Sequence, residues 1–227
     1  MSESQDDCCP SPLLLPQSII IAGATKSGKT TFTKRLLLSP DTMFKPQPPE
    51  EIMFVYTCWQ PAYDEIEAHW KNKVTFLQHI PSKAQLESWT SDNKPRLILI
   101  DDKQSSLDKS DIADFVCIFC SHRNLSTILL VQNFFYDSKV LRTVALNVQT
   151  LVLFKNRRSE QQIKVLATQL SPGNTKFILD AYRKAVNFSN YGYLLVDLDP
   201  RSPPEMQFRT NIFPDEITTV FAPEQSA

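Results

Sequence analysis

Ser18-Ile19-Ile20-Ile21-Ala22-Gly23-Ala24-Thr25-Lys26-Ser27-Gly28-Lys29-Thr30 decides how this chain folds. Ser18–Ala22 is short, mainly apolar and β-branched, the composition of a buried strand. Gly23 to Thr30 matches Gly-x-x-x-x-Gly-Lys-Thr at every fixed position. The glycines let the backbone wrap closely, so that successive amides point inward at phosphate oxygens. A helix from Lys29, with Phe32, Leu36 and Leu37 spaced for one face, adds its positive end to the anion site. The Lys29 amine reaches the β- and γ-phosphates and the Thr30 hydroxyl ligates magnesium. Gly23, Ala24, Thr25, Lys26, Ser27, Gly28, Lys29, Thr30 and Thr31 are therefore the expected contacts of a nucleoside triphosphate, ATP with Mg2+. A bare pattern match arises by chance, but a β-branched strand before it and an amphipathic helix after it argue against chance here. Glycine is scarce, with only 4 in the chain, and two of them sit in this loop.

A second constellation lies about seventy residues on. Arg96-Leu97-Ile98-Leu99-Ile100-Asp101-Asp102 is an apolar run closed by two carboxylates. An acid at the C-terminal end of a buried parallel strand faces the ligand crevice of an open α/β sheet. Asp101 is the expected magnesium partner of Thr30, and Asp102 orients or deprotonates the attacking water. The plain alternative is that both acids cap a strand end. Gln132, after the apolar run Thr127–Val131, either senses the γ-phosphate and holds the water or satisfies loop backbone. Arg142, Arg157 and Arg158 are candidates to complete a neighbouring subunit's site. An isolated arginine is more often a solvated surface charge. Lys155, Arg157, Arg158 and Lys164 form the densest basic stretch, suited also to DNA phosphate.

Working outward, apolar runs at 52–56, 74–77, 97–100, 127–131, 150–154 and 193–196 alternate with helical patterns at 63–70, 83–89, 108–120, 161–169 and 174–185. Apolar strands interleaved with helices predict an α/β fold, a mainly parallel sheet covered on both faces. Residues 1–16, with three prolines and several acids, read as a flexible leader; 17–200 as the single domain; 201–227, punctuated by proline, as an arm and tail.

The chain has 227 residues and a net charge of −1, so no bulk positive field advertises nucleic acid, although a ring can gather a few basic residues around a pore. No apolar run approaches the roughly 20 residues that cross a bilayer, and the start lacks a signal-peptide pattern. The 5 cysteines, Cys8, Cys9, Cys58, Cys117 and Cys120, show no framework spacing, which fits reduced thiols. Cys117 and Cys120 read as part of an apolar helix face and not as half of a zinc site, which needs a second ligand pair.

In order, the segments Gly23–Thr30, Leu97–Asp102, 121–133, 142–147, 153–156 and 162–167 resemble the genome-packaging ATPases of the FtsK–HerA superfamily. The small versions in Polinton/Maverick elements and adintoviruses, similar to the poxvirus packaging ATPase, are the nearest likeness. The phosphate loop is common to many families; the stretch from His122 through Ala167 is the specific part. The resemblance implies a RecA-like P-loop ATPase that assembles as a homo-oligomeric ring, a hexamer or pentamer, and feeds double-stranded viral DNA into a capsid at its portal vertex. It implies a location in the virion or in the host nucleus or cytoplasm, without membrane insertion or secretion. By position Gln132 matches the sensor glutamine, and Arg142 and Arg158 are the candidates for the intersubunit arginine. Two departures stand out: Asp101-Asp102 replaces the usual Asp-Glu, and the membrane anchor and winged helix of bacterial translocases have no counterpart. The alternatives are a small P-loop nucleotide or nucleoside kinase, although no arginine-rich lid stands out, and a nucleotide-binding assembly subunit that does not hydrolyse.

Overall fold

The structure, a computed structural model, describes residues 11–102, 123–132, 148–156 and 160–223. One sheet organises them. Its strands are β2 (Ser18–Ala22), β4 (Glu51–Val55), β5 (Val74–Leu77), β6 (Arg96–Asp101), β7 (Leu125–Val131), β8 (Thr150–Phe154), β9 (Tyr193–Asp197), β10 (Phe208–Thr210) and β11 (Thr219–Val220). Their order is β11-β10-β9-β8-β2-β7-β6-β4-β5. Pairing is parallel from β8 through β5 and antiparallel from β8 through β11.

The central strand shows why an unbroken apolar run was needed. In β2, Ile19 and Ile21 enter one apolar cluster with Phe32, Leu36 and Leu37 of α1 (Lys29–Leu38) and Tyr63, Ile66 and Trp70 of α3 (Pro61–Trp70). Ile20 and Ala22 point the other way, toward Leu86 of α4 (Lys83–Trp89), Leu166 of α5 (Glu160–Leu170) and Ala181 of α6 (Thr175–Asn187). Alternate residues of one strand thus feed two cores. This is the mainly parallel α/β sheet with helices on both faces that the sequence led us to expect.

Local signals fix the helix ends. Pro61 occupies the first turn of α3, where its missing N–H costs nothing, so the helix starts before the expected Tyr63. Ser82 and Gln85 form a reciprocal capping box at the start of α4. Pro40 ends α1 and opens the short α2 (Pro40–Met43).

Residues 11–16 and 201–223 are more integrated than composition suggested. Within the expected leader, Leu13 and Leu15 are buried, and β1 (Leu13–Leu14) pairs in parallel with β3 (Phe44–Lys45). The reason lies far along the sequence: the Arg201 guanidinium donates to the carbonyls of Leu14, Leu15 and Pro16 at 3.0, 3.2 and 3.1 Å. Within the expected arm, β10 and β11 extend the main sheet. There the buried Arg209 side chain pairs with Asp197 at 2.9 Å, tying β10 to β9. Among the described residues no helix is long and apolar enough to cross a membrane.

Candidate nucleotide-binding site

β2 delivers the chain to Gly23, whose N–H donates to the Val131 carbonyl at 3.1 Å. The Gly23 backbone lies so close to β8 that a Cβ there would meet Phe154 Cβ at 2.5 Å and Ser27 Oγ at 2.7 Å. Gly23→Ala is therefore expected to destabilise the fold by about 1–3 kcal/mol, the usual cost of overpacking. A lowered urea midpoint tests it, and an unchanged midpoint would mean that the loop shifts freely. Gly28 caps α1 with φ at 111°, and Lys26 also has positive φ, at 63°. Left-handed residues set among right-handed ones curl the amides into a concave nest for anions, and the first-turn amides of α1 have no partner within the helix.

Lys29 arises from the first turn of α1 and folds back over the loop, its Nζ donating to the carbonyls of Gly23 at 2.7 Å and Ala24 at 3.0 Å. Burial lowers its pKa, against the opposing pull of Asp101 and Asp102. A cavity of about 530 Å³ opens above it, lined among others by Thr30, Thr31, Gln60, Asp101, Asp102 and Gln132.

The two carboxylates have different surroundings. Asp101 ends β6 and is 6% exposed. Its Oδ2 accepts the Tyr63 hydroxyl at 2.5 Å and, at 3.5 Å, the Gln60 amide. Burial raises its pKa and Asp102 adds to the rise, while Tyr63 and Lys29 oppose it. The Tyr63 phenol is pushed far above its ordinary range by burial and by the same carboxylate, so it stays a donor. Asp102, by contrast, is exposed, and both its oxygens accept the Gln132 Nε2 at 3.1 Å. Thr57 Oγ1 holds the Asp102 carbonyl at 3.0 Å. The topology explains the meeting with Gln132: β7 lies between β2 and β6, so the residue after β7 stands between the phosphate loop and the acidic strand end.

The donor set suits magnesium. A hydroxyl and carboxylates are hard oxygen ligands, and magnesium carried by phosphate needs only one or two protein carboxylates. No cluster of three or more His, Cys, Asp or Glu arranged to hold a metal occurs among the described residues.

Lys29, Thr30, Thr31, Asp101, Asp102 and Gln132 thus share one cavity with Thr25, Lys26 and Gly28. Arg142, Arg157, Arg158, Cys117, Cys120, His122 and the helix expected over 108–120 lie outside the described residues. Sequence reasoning missed Gln60, Tyr63 and Tyr191. Gln60 follows a parallel strand at its C-terminal end, and the crevice rule applied to every strand finds it. Tyr63 and Tyr191 carry no such signal.

The chain matches no protein-family model and no curated protein. Among solved structures, its fold is similar to that of the genome packaging NTPase B204 from Sulfolobus turreted icosahedral virus 2 in complex with ATP-gammaS. The TM-score is 0.54 at 14% identity, over 91% of this chain and 97% of that one. The AMPPCP complex of the same protein gives 0.53 at 13% identity, over 92% and 98%. The likeness spans nearly the whole of both chains, and this chain accordingly has the P-loop NTPase fold seen in that viral packaging NTPase.

Proposed function

We propose that this chain hydrolyses ATP and spends the free energy on moving double-stranded viral DNA into a capsid, as one subunit of a pentameric or hexameric ring at the portal vertex. The hydrolytic half rests on one observation: Lys29, Thr30, Asp101, Asp102 and Gln132 line a single cavity. The packaging half is supported by the FtsK–HerA resemblance and by a fold shared with a protein described as a genome packaging NTPase.

The residues divide the chemistry as follows. Lys29 exchanges its two loop carbonyls for β- and γ-phosphate oxygens, making charge-assisted bonds about twice as strong. Thr30 and Asp101 would hold magnesium, which would supply positive charge to neutralise the phosphate oxygens. Asp102 takes a proton from water as the water oxygen bonds to the γ-phosphorus. The bond from that phosphorus to the bridging oxygen breaks, leaving ADP and inorganic phosphate. Gln132, already held against Asp102, orients the same water. Arg142 or Arg158 from a neighbouring subunit stabilises the charge on the transferred group.

Steady-state phosphate release, with and without linear double-stranded DNA, tests the proposal. DNA should raise turnover several-fold, and native mass spectrometry with ATP should show a closed ring. Transfer of the γ-phosphate to a nucleoside monophosphate would favour a kinase, and a monomer under all conditions would count against the motor.

A further inference from the structure

We infer that a second cavity, beside the phosphate site, takes the purine base of the bound nucleoside triphosphate. This rests on the nucleotide reading above and extends it from the phosphates to the other end of the ligand.

The second cavity has a volume of about 200 Å³ and shares Gly28, Thr31 and Tyr191 with the first. Arg35 lines only the second. Thr31 and Arg35 lie one helical turn apart on α1, about 5–6 Å. A ligand whose phosphates sit in the loop therefore reaches the second cavity by running one turn along α1, past Tyr191.

The walls suit a flat, uncharged ring. Phe154, Tyr193 and Phe213 form a buried floor, at 3%, 5% and 1% exposure. These rings are locked around Phe32, with centroids at 5.8, 4.8 and 5.1 Å. At the rim Tyr191 is 58% exposed and packs against the Gly28 backbone, where a Cβ would come within 3.0 Å of it. A large aromatic left in water beside a nucleotide cradle offers a stacking face.

Among the described residues, the one cation in the lining is already compensated. Arg35 stacks over Phe213 at 3.9 Å, pairs with Glu216 at 2.6 Å and also pairs with Asp215. A second phosphate therefore gains little there, and a neutral ring loses nothing. Asn211 supplies the polar edge. Its carbonyl oxygen accepts one long contact, 3.5 Å from Thr210, and its amide nitrogen has no partner among the described residues. A side-chain amide presents a donor beside an acceptor, the complement of an adenine edge.

Calorimetric titration with ATP and with inorganic tripolyphosphate, which has the phosphates but no base, tests the assignment. Tyr191→Ala should weaken ATP roughly 5- to 100-fold, the range for losing one base stack, and leave tripolyphosphate unchanged; Tyr191→Phe should restore ATP binding. Full ATP affinity in Tyr191→Ala, or an equal loss of both ligands, would overturn the base slot. Undiminished binding of both ligands by Lys29→Ala would instead remove the loop reading, and the slot with it.

Discussion

Lys29→Ala should lower ATP hydrolysis roughly 10³-fold or more, the scale for removing a preorganised charge from a phosphoryl-transfer site. Without ligand, Lys29 bonds two carbonyls of its own loop. Removing two such bonds at a partly open loop costs about 1 kcal/mol each or less, so the variant should fold. What disappears is the cation that follows the charge as it moves from the γ-phosphate toward the bridging oxygen. Ground-state binding weakens too, because no neutral side chain replaces a charge-assisted contact. Two measurements separate these effects from misfolding: phosphate release at saturating ATP, and the rise in Tm on adding nucleotide. The ligand-free Tm should stay near wild type, while the ATP-induced rise, which follows ligand concentration over Kd, should shrink. A variant that keeps both its Tm rise and its turnover would sink the assignment of Lys29.

Asp102→Asn should keep nucleotide binding and reduce turnover about 10²- to 10⁴-fold, the usual contribution of a positioned general base. The substitution is well isolated by geometry. Asp102 has a positive φ of 54°, a conformation that Asn tolerates as readily as Asp, so no backbone strain is added. One of the two oxygens that accept Gln132 survives as the amide oxygen. Asp101 and its bond from Tyr63 are untouched, leaving the metal side of the site intact. The single property removed is a carboxylate able to accept a proton. Normal turnover in this variant would place the base elsewhere, and lost binding would mean that Asp102 holds the ligand and does not activate water.

The parts of this molecule that sequence reveals are those whose chemistry is carried by local residue types. Ile19, Ile20 and Ile21 can only be a strand buried on both sides, and Gly23, Gly28 and Lys29 act through the backbone beside them. Asp101 and Asp102 were legible because an apolar run aims them at the crevice. Tyr63, Gln60 and Tyr191 were not, because each reaches the site from an element whose position depends on the whole sheet. Tyr63 serves one turn of α3 as core, packing on Phe54, and its hydroxyl meets Asp101 only because β4 lies next to β6. The short pairs β1–β3 and β10–β11 were hidden for a related reason. Two or three residues carry no periodicity, and their order comes from distant partners such as Arg201 and Asp197.

The position of β2 also governs when the site can come into being. This strand is synthesised before both of its partners: Ala22 pairs with Val131 on one side and Leu153 on the other. Gly23 donates its N–H to the Val131 carbonyl and rests on Phe154. A nascent chain that ends before β8 therefore leaves Ile19–Ile21 with an unpaired edge and the phosphate loop unsupported. Parallel pairing over such sequence distance is slow, because the intervening chain must be closed before the contacts form. Until then the isoleucine strand is exposed to pairing with other chains. Competence to bind nucleotide should appear late and all at once in folding, making ATP a ligand of the finished sheet and not a scaffold for building it.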